Sequence, residues 1–153
     1  KPKVICTVRD VAEIVASFMQ IFEENEETFI HGETLKGSVF EDLHALLDDS
    51  FHSTTRLMKQ DLWFSDCIHL VEYNDLIDNT AKTLNEIYEF LELEPFEHDL
   101  KNIEVAEQEG NHGWKNLHTI RGNLTKSNVP LTKYLTEHEI AQYNNKNFWR
   151  KNG

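Results

Sequence analysis

The chain has 153 residues, 39% of them hydrophobic, and a mean hydropathy of -0.55, which suits one domain with a buried core. Fifteen Lys+Arg against 27 Asp+Glu leave a formal charge of -12, so the overall field disfavours nucleic acid and anionic membrane as partners. No apolar run approaches the ~20 residues needed to cross a bilayer. An anionic ligand would need a local basic pocket, and Arg9, Arg56, Arg121 and Arg150 are the only arginines.

In chain order, Val4-Ile5-Cys6-Thr7-Val8 is a continuous β-prone run, the pattern of a strand buried on both faces. Arg9 stands at its carboxyl end and Asp10 is a good N-cap for a helix from Val11 to about Glu27. Val11, Ile14, Val15, Phe18, Ile21 and Phe22 form the buried stripe of that helix. Residues 28–38 read as a loop, and a second helix is expected over about Val39–Met58. Cys67–Glu72 is the second strand. Asp78 or Asn79 caps the next helix, which turns Ala81, Leu84, Ile87, Tyr88 and Leu91 inward and ends at Pro95. Residues 96–134 lack periodicity, the mark of a functional loop or an extended segment wrapping the core. Thr136 with Glu139 makes a capping box for a last helix to about Asn147. This strand–helix–helix–strand–helix order implies an α/β fold with parallel strands, in a single domain over residues 1–153.

Arg9 and Ser17 together suggest half of a phosphate site. Ligands of open α/β sheets bind beyond the carboxyl ends of strands, where helix N-termini attract anions, and a guanidinium presents a planar fork of donors. Taken singly, the same residues have plainer roles: Arg9 in a surface ion pair, Ser17 easing helix packing, Tyr73 half-buried with its hydroxyl satisfied locally. His44, Asp48 and His52 share a helix face at metal-ligand spacing, but no other helix offers a further ligand, and the face reads as solvated. No Gly-x-Ser-x-Gly elbow occurs, and neither cysteine sits on an exposed turn beside a His, which removes the nucleophilic hydrolases. Cys6 and Cys67 lie in strands whose geometry rarely permits a disulfide, so reduced thiols and a cytoplasmic setting are expected. Asn123-Leu124-Thr125 is a glycosylation sequon with nothing else to support secretion.

The Arg9/Ser17 spacing resembles the 3'-phosphate motif of the sulfotransferases that use 3'-phosphoadenosine-5'-phosphosulfate (PAPS), although Asp10-Val11-Ala12-Glu13 replaces that family's basic or Pro residues. A second segment strengthens the resemblance: Tyr73-Asn74-Asp75-Leu76 after a strand, then a helix closing in Phe90-Leu91-Glu92-Leu93. A third, Leu117-His118-Thr119-Ile120-Arg121, is similar to a loop that returns over the nucleotide in bacterial-type members. The resemblance implies a partial P-loop-type, helix-rich parallel sheet flanked by helices. It also implies PAPS as co-substrate without a metal, and a nucleotide site of Arg9, Ser17, Tyr73 and Arg121. Trp114 or Lys115 would cover the base, unless residues 110–122 are a plain surface loop. The acceptor would be a small molecule or a carbohydrate.

In that family the 5'-phosphosulfate loop, the catalytic base and the cation on the leaving phosphate lie ahead of the Arg/Ser motif. None of Gly32, Gly37, Gly110, Gly113, Gly122 or Gly153 follows a strand with P-loop spacing. The chain therefore reads as the carboxyl-terminal part of a sulfotransferase domain, inactive alone, with the missing amino-terminal part as its partner. A non-catalytic, sulfotransferase-derived module is the alternative. Other P-loop enzymes such as kinases fit the two motifs less well.

Overall fold

The computed structural model describes residues 2–25, 66–103, 115 and 122–150. They fall into two compact units, one drawn from Lys1–Arg9, Asp48–His98 and Asn147–Gly153, the other from Asp10–Leu47 and Asp99–Lys146. The helix expected over Val39–Met58, with His44, Asp48 and His52, lies outside the described residues, as do the loop 28–38, Trp114 and Arg121. Among the described residues the architecture is mixed α/β, a two-stranded parallel sheet with helices.

In the first unit, β1 (Val4–Val8) pairs in parallel with β2 (Ile68–Glu72), in a register running from Val4↔Ile68 to Val8↔Glu72. Both strands are rich in β-branched residues, which suit the pleat. β2 passes directly into a short helix α2 (Tyr73–Asp78), and α3 (Thr80–Leu91) follows after Asn79. The joint between these helices is closed by two donors on one carbonyl: Asp75 O accepts from Asn79 N at 2.9 Å and from Thr83 Oγ1 at 3.0 Å. α3 lies back on the sheet, with Phe90 stacked on His69 at 5.1 Å between ring centroids.

Four expectations need correction here. β1 is not buried on both faces: Val4 is 48% and Ile5 39% exposed, and burial concentrates at the carboxyl end, in Val8 and Val71. Among the described residues α2 and α3 both pack on β2. Thr83 is the buried residue of α3, whereas Ala81 is exposed. The helix also ends before Pro95, at a Schellman turn in which Glu92 N–H bonds Glu89 O and Leu93 N–H bonds Tyr88 O at 3.0 Å. Glu92 takes the left-handed conformation there, at φ 58°, where glycine is usual. Its carboxylate meets Lys3 Nζ at 2.8 Å, and Lys3 lies over the Phe90 ring. Unlike the sequence reading, which begins the second strand at Cys67, the ladder starts at Ile68. Cys67 is buried just ahead of it, and both cysteines are free thiols.

In the second unit, α1 (Val11–Glu24) starts as expected, with Asp10 Oδ1 accepting from Ala12 N at 2.9 Å and Glu13 N at 3.3 Å. Its inner face differs from the predicted stripe: Val11, Ala12, Val15, Ala16 and Met19 are buried, while Ile14, Phe18, Ile21 and Phe22 are half-buried. That inner face packs against α4 (Leu131–Tyr134) and α5 (Glu137–Asn144). Small side chains at Ala12 and Ala16 let helix backbones approach closely, which a stripe chosen by hydrophobicity alone overlooks. The Thr136/Glu139 capping box is present, with Thr136 N donating to Glu139 Oε2 at 2.7 Å.

Two side-chain locks close this unit. Asn25, 3% exposed at the end of α1, brackets the Lys115 backbone: its Oδ1 accepts from Lys115 N at 2.6 Å and its Nδ2 donates to Lys115 O at 3.0 Å. Glu23 Oε2 accepts from both Lys133 Nζ and Tyr134 Oη at 2.5 Å, tying α4 to the last turn of α1. Those two donors hold the Glu23 carboxyl below its ordinary value, and the Glu23 carboxylate, followed by Tyr134, pushes Lys133 up. Burial, followed by the carboxylate, raises Tyr134.

Candidate functional site

The site is built from the parallel pairing itself. Val8 and Glu72 are register partners and the last residues of their strands, so Arg9 and Tyr73 leave the same end of the sheet side by side. They are in contact: the Arg9 guanidinium carbon lies 4.4 Å from the centre of the Tyr73 ring. A cation over an aromatic face is worth about 0.5–2 kcal/mol, more where water is excluded, and both residues are half-buried. The ring thus holds the guanidinium in place, and guanidinium N–H donors lie at the edge of its plane, where an anion's oxygens are met. Tyr73 begins α2, which fixes where the ring leaves the backbone.

Arg150 occupies the same edge. It closes a short 3-10 helix, Phe148–Arg150, in which Trp149 stands edge-on to Phe148 at 5.2 Å. Its Nε donates to Glu72 Oε1 at 3.0 Å, and its Nη2 reaches the same oxygen. Sequence reasoning missed this pair, because nothing local in Phe148-Trp149-Arg150 points to a carboxylate 78 positions away.

The other residues of the predicted site are placed as follows. Ser17 lies on α1 in the second unit, half-buried in the helix's second turn. Arg121 lies outside the described residues, and Lys115 is exposed with its backbone clasped by Asn25. The Ala12 and Glu13 amides at the start of α1 do not stand ready for an external anion, because they donate to the Asp10 carboxylate. A carboxylate at a helix N-terminus satisfies the same donors and dipole that a phosphate would.

Among the described residues no group of three or more His, Cys, Asp or Glu is arranged to hold a metal ion. Nor is any described helix long and apolar enough to cross a membrane. The arrangement can therefore fix a planar cation on an aromatic platform at a strand end, with a second, carboxylate-bound cation on the same edge. In comparisons with known proteins, the family model described as "Sulfotransferase family" matches residues 1–98. That span covers β1, α1, β2, α2 and α3, and with them Arg9, Ser17 and Tyr73. No curated protein and no solved structure matches the chain.

Proposed function

Since the chain belongs to the sulfotransferase family, we propose that it serves the transfer of a sulfuryl group from PAPS to a hydroxyl or amine acceptor, a small molecule or a carbohydrate. The observation that carries this reading is the contact between Arg9 and Tyr73 at the carboxyl end of β1 and β2, within the matched span. In the reaction the acceptor's lone pair attacks sulfur, the bond from sulfur to the bridging phosphate oxygen breaks, and that oxygen keeps the electron pair. The acceptor's proton passes to a base. Such in-line transfers depend on positioning and on cations placed where charge develops.

The residues identified in this chain do the positioning. Arg9 would bind the 3'-phosphate through its N–H edge while one face of Tyr73 supports it. The adenine would then meet the other face of Tyr73 or its hydroxyl edge. The motif adds a hydroxyl from Ser17 to the same phosphate, and the Leu117–Arg121 segment adds a closing cation from Arg121, both on sequence grounds.

One observation favours a second reading, a sulfotransferase-derived module that no longer takes nucleotide. Asp10 follows Arg9 where the family has basic or Pro residues, and its carboxylate fills the start of α1. Side-by-side calorimetric titration with 3'-phosphoadenosine-5'-phosphate, ADP and ATP separates the two. The enzyme reading expects binding of the 3'-phosphorylated nucleotide at least tenfold tighter than of the other two. Equal affinities, or heat from none, would favour the module.

A further inference from the structure

At the carboxyl end of the strand pair, two guanidinium groups and two carboxylates stand within two residues of the Val8↔Glu72 register step or are bonded to it: Arg9, Arg150, Asp10 and Glu72. Glu72 is the oddity. It directly precedes Tyr73 and pairs in register with the residue before Arg9, so a carboxylate stands beside the place proposed for a phosphate. Left alone it would repel that phosphate and compete for Arg9. Arg150 takes up this carboxylate instead, through Nε and Nη2 on the single oxygen Oε1. With Arg150 in place these four groups sum to zero; without it they sum to one net negative charge.

We infer that Arg150 is a positioning residue of the anion site: by holding the Glu72 carboxylate in an ion pair, it keeps that charge from opposing a phosphate at Arg9. The inference rests on the sulfotransferase reading and goes beyond its residues, since Arg150 lies outside the segment that the family model matches. Stability does not account for the pair. Its side chains are 40% and 20% exposed, and ion pairs so placed contribute little to folding. What such a pair does alter is the field within about a Debye length, roughly 8 Å at physiological salt. Neighbouring strands lie about 4.8 Å apart, which puts Glu72 inside that range of a ligand on Arg9. One uncompensated unit charge about 8 Å from a phosphate charge, at an effective dielectric between 20 and 80, changes affinity roughly 2- to 30-fold before salt screening. The aromatic pair Phe148 and Trp149 anchors the backbone from which Arg150 reaches across.

The test is calorimetric binding of 3'-phosphoadenosine-5'-phosphate to the full chain at low and high NaCl, in wild type, Arg150→Met, Arg150→Lys, Glu72→Gln and Arg150→Met/Glu72→Gln. Arg150→Met should weaken binding roughly 2- to 30-fold at low salt, and the loss should shrink at high salt. Adding Glu72→Gln should restore affinity to within about twofold of wild type, and Arg150→Lys should stay close to it. Glu72→Gln alone should tighten binding, which tests the inference even if Arg150→Met does not fold. An unchanged affinity in Arg150→Met or in Glu72→Gln overturns the inference while leaving the sulfotransferase reading intact. So does a double variant as weak as Arg150→Met, because Arg150 would then act by some route other than Glu72. A wild-type protein that binds no 3'-phosphoadenosine-5'-phosphate removes the reading itself, and the inference with it.

Discussion

Replacing Arg9 with Ala tests the centre of the proposed site, and a double-mutant cycle with Tyr73 tests how that centre is built. The guanidinium lies 4.4 Å from the ring centre, well inside the ~6 Å reach of a cation–π contact, and both partners are half-buried. Arg9→Ala removes two things: charge-assisted hydrogen bonds to phosphate, worth about 1.5–3 kcal/mol, and the ring contact, worth about 0.5–1 kcal/mol at this exposure. Affinity for 3'-phosphoadenosine-5'-phosphate should therefore fall about 10- to 150-fold, while stability should drop by no more than about 1 kcal/mol. Tyr73→Phe keeps a ring and should bind within about threefold of wild type. Tyr73→Ala should lose tenfold or more. Because Tyr73 holds the group that Arg9→Ala deletes, the double variant should bind more tightly than the product of the single losses implies. Calorimetry gives the affinities and thermal melting the stabilities. Strict additivity would refute the platform argument, and unchanged affinity in Arg9→Ala would refute the phosphate assignment.

Other outcomes follow from the second unit and from the end of α3. Asn25→Ala strips both bonds from the Lys115 backbone, so chemical denaturation should show a loss of about 1–3 kcal/mol; no loss would mean that the bracket is ornamental. The Glu23 carboxyl sits below its ordinary value of 4.5 in the folded protein, so its contribution is present at neutral pH and is lost as pH falls through that lowered value. Melting temperature should therefore decline less steeply on acidification in Glu23→Gln than in wild type, and parallel pH profiles would count against the lock. Glu92→Gly should raise the melting temperature and Glu92→Ala should not, since only glycine relieves a left-handed backbone at φ 58°.

How much was legible in the sequence depended on how far apart the interacting groups lie. The Asp10 cap and the Thr136/Glu139 box were readable because each spans a single turn, and residue chemistry decides such contacts locally. β1 and β2 were readable as apolar β-branched runs, and their parallel order followed from the helices between them. Arg9 and Tyr73 were nominated separately by two motifs, but only the register step Val8↔Glu72 explains why they touch. The inner face of α1 was misread because Ile and Phe outrank Ala on any hydrophobic scale, whereas close helix packing favours Ala12 and Ala16. Asn25 with Lys115, and Arg150 with Glu72, carried no local sign, since polar residues at such separations meet only through the tertiary fold.

The interleaving of the two units has a consequence for synthesis. β1 waits for a partner that begins sixty-four positions later, Val4 against Ile68, and the first unit also needs Asn147–Arg150 to be complete. At a translation rate of about 5–20 residues per second, β1 cannot pair with β2 for roughly 3–13 s, and Arg150 reaches Glu72 no sooner than roughly 4–16 s after Glu72 is made. During that interval α1 can already coil behind its Asp10 cap, since its start needs nothing from downstream. The nascent chain thus holds a preformed helix behind a strand that still lacks β2, a stage at which a ribosome-associated chaperone would find an exposed binding segment.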